Sequence, residues 1–334
     1  MKILITGASG FIGSFMVEEA LRRGMDTWAG VRASSSHAYL QDDRIRFAEL
    51  DMAHPDVLKQ QLLRFRDELG AWDYVVHCAG ATKCRHKEDF DRINHEGTCH
   101  LVRSLTDLDM KPRQFIFISS LSVYGPVHEQ DYAPITEHDI PRPNTAYGMS
   151  KLKAEQFLQA FPDFPYVIFR PTGVYGPREC DYFLMAQSID RHVDVAAGFR
   201  RQDLTFVFVK DLVQAVFRAI DRGVTRRAYF VSDGQVYASR MFSDYIRHEL
   251  GRRFVVRLTL PLSVLRCVSV LAETVAGWVG KSSTLNRDKY NIMKQRNWQC
   301  DIRPLVDELG YRPAYDLERG VKESIAWYKK EGWL

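Results

Sequence analysis

The chain has 334 residues, of which 46% are hydrophobic and 26% charged, with 21 Gly and 13 Pro. That apolar share excludes a disordered or low-complexity chain, and the length suits one large α/β unit with a smaller companion. The formal net charge of +4 is spread along the chain, which suits a small anionic ligand and gives no reason to expect a nucleic-acid partner.

In chain order, residues 2–6 form a short apolar run, 11–23 carry apolar side chains at helical spacing, and 27–31 are apolar again. Residues 44–50 alternate, 57–69 read as a helix, and 73–77 (DYVVH) read as a buried strand. A helix around 94–108, a strand at 114–119, a helix from about 146 to 160 and a strand at 166–170 follow. Such alternation predicts an α/β protein, a Rossmann-type doubly wound parallel sheet with helices on both faces. Beyond Pro171 the rhythm shortens, with strands at 204–209 and 228–231 around a helix at 211–220, and the remainder is mostly helical. Two discontinuous lobes are expected: a dinucleotide-binding domain from 1–173 and about 207–232, and a smaller, mostly helical substrate lobe from about 174–206 and 233–334.

The six cysteines (78, 84, 99, 180, 267 and 300) form no CxxC pair and read as reduced thiols. Met1-Lys2-Ile3-Leu4-Ile5 enters a strand-like run at once, so a cytoplasmic protein with no signal peptide is expected. The apolar stretch 258–279 is broken by Pro261, Arg266 and Glu273, which argues against a membrane span. It reads first as a core helix of the second lobe. A cover over an apolar substrate, a dimer contact or a membrane-surface contact are the alternatives.

Thr6-Gly7-Ala8-Ser9-Gly10-Phe11-Ile12-Gly13 stands between the first strand and the first helix. Glycines at 7, 10 and 13 permit a tight turn, a close backbone approach to a pyrophosphate, and close packing of helix on sheet, and the helix N-terminus offers free N–H groups. The GxxGxxG spacing resembles the extended branch of the short-chain dehydrogenase/reductase superfamily, which includes sugar-nucleotide epimerases and dehydratases. The second strand ends in Val31-Arg32-Ala33-Ser34-Ser35-Ser36, with no carboxylate to receive ribose hydroxyls. An arginine there can fork a 2′-phosphate that a carboxylate would repel, so NADP(H) is favoured, with NAD(H) as the alternative. The resemblance further implies adenine contacts from Asp51 and Met52, and a small-residue floor under the cofactor at Cys78, Ala79 and Gly80, which follow His77.

Tyr147-Gly148-Met149-Ser150-Lys151 puts a phenol and an ammonium on one helical face at i and i+4. A phenol that works near neutrality must fall about three units from pKa 10, roughly 4 kcal/mol, and a neighbouring ammonium with an oxidised nicotinamide supplies charge of the right sign. The run Phe115–Gly125 resembles the family strand that carries its active-site hydroxyl; Ser120 is the matching residue and Ser119 the next candidate. Asn94 with Gly97-Thr98 resembles the NxxGT segment that supports the cofactor end of the site. Arg170-Pro171-Thr172-Gly173-Val174-Tyr175-Gly176-Pro177 resembles the RPxxVYGP segment, which places Pro171 and Thr172 beside the nicotinamide. Lys210-Asp211-Leu212 resembles the later helix start of the same family, and 301–320 its tail. In the roles the resemblance implies, Tyr147 exchanges the substrate proton, Ser120 holds the substrate oxygen, Lys151 holds the cofactor ribose, and Asn94 supports them.

Two departures stand out. Family dehydratases carry an Asp-Glu pair just after the hydroxyl residue, where this chain has Leu121 and Ser122. Family epimerases carry an arginine that clamps the diphosphate, and Leu204 occupies its place, with Arg178, Arg200 and Arg201 nearby in sequence. HExxH, GxSxG and a Walker lysine are absent, and the Cys and His spacing fits no metal site. The reading is an NAD(P)-dependent oxidoreductase acting on a carbonyl or secondary alcohol of a small molecule. The alternatives are a nucleoside-diphosphate-sugar epimerase and, second, a non-catalytic dinucleotide sensor. A homodimer pairing through the helices that follow Asn94 and contain Tyr147 is the default expectation for the superfamily.

Overall fold

A computed structural model describes residues 1–278 and 286–334. Its elements run β1 (Lys2–Thr6), α1 (Phe11–Arg22), β2 (Asp26–Val31), β3 (Arg46–Glu49), α2 (Pro55–Leu69), β4 (Tyr74–His77), α3 (Lys87–Phe90), a π-helical turn (Asp91–Glu96), α4 (Gly97–Asp107), β5 (Gln114–Ile118), α5 (Ala146–Ala160) and β6 (Tyr166–Pro171). Then follow β7 (Gly173–Tyr175), α6 (Asp181–Asp190), β8 (Val193–Ala197), β9 (Asp203–Leu204), β10 (Phe206–Phe208), α7 (Val209–Arg222), β11 (Arg227–Val231), β12 (Tyr237–Ala238), α8 (Met241–Glu249), β13 (Val256–Leu260) and α9 (Leu262–Trp278). The chain closes with α10 (Arg287–Lys294), α11 (Arg303–Leu309) and α12 (Leu317–Lys330).

The continuous apolar runs are the central strands. Ile3, Leu4, Ile5, Val75, Val76, Phe115, Ile116 and Phe117 are all fully buried, as strands covered on both faces by helices require. Seven strands stand in the order β11-β6-β5-β4-β1-β2-β3. The order reverses between β1 and β4, so the carboxyl ends of these strands open the crevice where doubly wound sheets bind ligands. Register places Thr6 beside His77 and His77 beside Phe117, so the segments leaving β1, β4 and β5 emerge side by side. Gly7 has φ +66°, and a Cβ there would sit 2.7 Å from Ala79 Cα; a Cβ at Gly13 would run into the Gly7 carbonyl. The first and third glycines are therefore obligatory for the turn itself.

The chain divides into two compact units. One comprises 1–123, 146–170 and 213–229; the other comprises 124–145, 171–212 and 230–334. The first is built on the sheet and on an apolar cluster that includes Leu4, Trp28, Leu58, Trp72, Leu101 and Phe115. The second has an aromatic core that includes Tyr175, Phe206, Phe208, Phe242, Leu317 and Tyr328. Residues 124–145 depart from the boundaries expected from sequence. Gln295 Nε2 donates to Gly125 O at 2.9 Å, Asn297 Nδ2 donates to Ala133 O at 2.8 Å, and Ile135 bridges Cys300, so long-range partners carry this segment into the second unit. Asp211, at the start of α7, is 2% exposed and accepts the Ala314 and Tyr315 N–H groups at 2.9 Å, tying the tail to the second unit.

The apolar stretch 258–279 differs from a core helix. On α9, Leu265 and Ser269 are buried, but Val264, Val268 and Leu271 are 45%, 43% and 66% exposed. Val279 lies outside the described residues. Among the described residues no helix is long and apolar enough to cross a membrane.

Candidate active site

Tyr147, Lys151 and Glu155 lie one turn apart on α5, and each is fixed by a different partner. Tyr147 is half-buried, hydrogen-bonds Ser120 and meets Phe90 edge-on at 6.2 Å. Lys151 is 4% exposed; its Nζ donates to Ile118 O at 2.9 Å and sits 4.6 Å from the Phe117 ring centre. Glu155 is 1% exposed and forms a two-pronged ion pair with Arg170 at 2.7 Å, and it also accepts the Ser119 hydroxyl. The two neighbouring serines thus separate: Ser120 belongs to Tyr147, and Ser119 to Glu155. Ser120 Oγ also accepts the Ser122 N–H at 3.1 Å, inside the short 3₁₀ turn that follows β5.

Asn94 is fully buried in the π-helical turn. Its Oδ1 accepts Ala81 N–H at 2.7 Å, and its Nδ2 donates to Ala81 O and to Ser150 Oγ, both at 3.0 Å. Ser150 Oγ in turn donates to Tyr147 O at 2.7 Å. The π turn, a feature that recurs at functional sites, brings Asn94 onto α5. His77, Ser150 and Glu155 hold this arrangement together. Of these, Glu155 had a visible signal, because it continues the Tyr147–Lys151 spacing by one more turn.

Burial dominates the electrostatics. It pushes the Tyr147 phenol up to about 12, with the Ser120 hydrogen bond pulling the other way. It lowers Lys151 to about 8, a fall that Cys78 and Glu155 only partly offset. It also lowers His77 to about 3 and raises the Cys78 thiol to about 12. The protein's own groups therefore do not bring the phenol toward neutrality, because burial outweighs the Ser120 hydrogen bond.

The residues present fit a dinucleotide. Helix α1 opens on Gly10 with no capping side chain and no acid in its first turn, which leaves a positive end for a pyrophosphate beside Ser9, Phe11 and Ile12. A Cβ at Gly80 would stand 3.0 Å from Asn94 Oδ1 and 3.2 Å from Lys151 Nζ, so the missing side chain keeps both groups open beside the Cys78-Ala79-Gly80 floor. Arg32 is exposed just past β2, and its N–H donates to Ser35 Oγ at 3.0 Å. Asp51 is bonded to His54 at 2.8 Å, which holds its carboxyl below the usual range, and Met52 O receives His100 Nδ1 at 2.9 Å. Pro171 and Thr172 belong to the second unit, where Thr172 N donates to Val231 O at 3.0 Å.

The second unit carries its own cleft of about 260 Å³, lined by Phe199, Arg200, Gln202, Leu262, Lys294 and Arg296 among others. Arg200 and Lys294 are exposed, and Arg296 spends its guanidinium on the Tyr132 ring and hydroxyl. The Glu129 carboxylate accepts the Arg296 backbone N–H at 2.8 Å, while Arg200 and Lys294 make no ion pair among the described residues. Leu204, in the place where family epimerases carry arginine, packs against the aromatic core instead. No group of three or more metal-ligating side chains occurs among the described residues.

A family model described as the NAD dependent epimerase/dehydratase family matches residues 3–232. UDP-glucose 4-epimerase from Vibrio cholerae is 26% identical over 336 residues, covering 97% of this chain and 94% of the relative. Among solved structures, the UDP-glucose 4-epimerase of Thermotoga maritima with UDP-glucose superposes with a TM-score of 0.79 at 21% identity, covering 99% of each chain. The UDP-glucuronic acid 4-epimerase of Bacillus cereus in complex with NAD gives 0.77 at 19% identity, again covering 99% of each chain.

Proposed function

The chain belongs to the NAD-dependent epimerase/dehydratase family, and on that premise we propose that it is a nicotinamide-dependent epimerase acting on a nucleoside-diphosphate sugar. This is the alternative of the sequence reading, and near full-length similarity to a UDP-glucose 4-epimerase favours it over net carbonyl reduction. A bound nicotinamide would supply the hydride exchange with the carbinol carbon that inversion needs. Tyr147 takes the alcohol proton as the carbonyl forms and gives it back on reduction, while Ser120 holds the substrate oxygen. The Lys151 ammonium favours the phenolate form of Tyr147 only while it is itself charged, below about pH 8. A dehydratase would need an acid to protonate a leaving hydroxyl, and Leu121 and Ser122 offer none.

The observation that carries the substrate class is the cleft lined by Arg200, Lys294 and Arg296, whose cationic side chains suit a diphosphate despite Leu204. We assign the dinucleotide preference to NADP(H), because Arg32 and Ser34 to Ser36 offer a 2′-phosphate one cation and three hydroxyls without a carboxylate. The test is product analysis of nucleotide sugars incubated with the protein and either dinucleotide. Interconversion of epimers without net cofactor reduction is expected, with KM raised about tenfold and kcat kept when Lys294 and Arg296 are both changed to Gln. Stoichiometric cofactor turnover on a simple ketone would replace this reading with net oxidoreduction. In binding titrations, Arg32→Ala should weaken NADPH about tenfold or more and leave NADH unchanged; equal loss of both would remove the NADP(H) assignment.

A further inference from the structure

The hydrogen bonds around His77 have one self-consistent direction. The Thr98 hydroxyl has a single proton, which it gives to Asn94 O at 2.7 Å, so toward His77 Nε2 at 3.0 Å it can only accept. Nε2 therefore carries the ring hydrogen, and Nδ1 is a bare acceptor. Thr6 Oγ, 2.7 Å from Nδ1, must donate to it, which leaves its lone pairs for the Ala79 N–H at 3.4 Å. The same sense continues beyond Asn94, whose Nδ2 donates to Ser150 Oγ, which donates to Tyr147 O. From the cofactor floor at Ala79 to the backbone of Tyr147, side-chain donors point one way. His77 is 1% exposed, between the rings of Phe115 and Phe117 at 5.6 and 5.8 Å, so no solvent competes for either nitrogen.

We propose that His77, as the Nε2–H tautomer, is a positioning residue that joins the glycine-rich turn to the Asn94 turn and so sets the catalytic helix against the cofactor floor. It touches neither substrate nor cofactor; it acts through Thr6 and Thr98. The inference rests on the reading of Tyr147 as the proton-transfer group. A strand-end histidine kept only for packing would be replaced best by phenylalanine, whereas a positioning histidine is replaced best by glutamine, whose amide keeps a donor for Thr98 and an acceptor for Thr6.

The experiment compares His77→Phe with His77→Gln. His77→Phe should lower kcat about tenfold with substrate KM within about twofold, and His77→Gln should recover most of that loss. Equal activity in the two variants, or a better enzyme with Phe, overturns the proposal. Should His77→Phe not fold, Thr98→Val against Thr98→Ser poses the same question, with Ser expected to keep kcat and Val to lose it; identical kcat values overturn it. Nitrogen NMR of histidine-labelled wild-type protein at neutral pH should show one neutral Nε2–H imidazole for His77, and an Nδ1–H form or a mixture overturns the proposal independently of turnover. If the tautomer is as stated but Tyr147→Phe is fully active, the functional reading fails while the frame itself stands.

Discussion

Lys151 and Lys294 show how differently the two units use the same side chain. Lys151 is almost wholly buried, bonded to a strand-end carbonyl and lowered to about 8, and its surroundings leave it one position. Lys294 is exposed at the end of α10, near the Tyr290 ring at 5.4 Å, with no carboxylate to hold it among the described residues. The first unit spends packing and hydrogen bonds to fix geometry before any ligand arrives, as catalysis requires. The second presents charge on loop and helix ends, which suits recognition of an anion whose remaining parts vary. On the proposed function, chemistry and selectivity would rest on different kinds of structure.

The sharpest way to break this contrast is Tyr147→Phe. It should lower turnover about 10³-fold or more while leaving dinucleotide affinity within about twofold, measured by steady-state rates and fluorescence titration. Activity near wild type would show that the fixed geometry of the first unit is not the source of catalysis. Next, Glu155→Gln removes the carboxylate of the buried pair with Arg170 and should cost about 3–5 kcal/mol in denaturant unfolding. A loss under about 1 kcal/mol, the range of exposed ion pairs in general, would mean that the frame tolerates slack. The smallest effect concerns acid. His77 is lowered to about 3 in the folded chain, so between about pH 3 and 6.5 the unfolded chain binds the proton and the folded chain does not. Stability should therefore fall with acidification, by about 2 kcal/mol from pH 6.5 to 4.5 through this residue, and His77→Phe should remove that portion of the pH dependence.

Much of the first unit was legible because parallel strands buried on both faces must be apolar throughout. The run 2–6 is β1, the helix expected from about 146 to 160 is α5, and the run 114–119 contains β5. Tyr147, Lys151, Asn94 and Ser120 were also legible, since helical spacing and short motifs place them locally. Long-range partners were not. The choice between Ser119 and Ser120 depends on Glu155, which lies 36 residues away from Ser119. The place of 124–145 depends on Gln295 and Asn297, more than 160 residues on. The apolar face of α9 misled for a related reason: periodicity reveals a stripe but not which side of the helix the rest of the unit covers.

Burial at the floor of the first unit has a further consequence. His77 stays neutral above about 3, the Cys78 thiol and the Tyr147 phenol keep their protons until about 12, and Lys151 alone gives up a charge in between, near 8. From mild acid to neutrality this quartet carries one constant positive charge. Across that range its field is as steady as a permanent ion, and the first change on going alkaline comes from a single nitrogen.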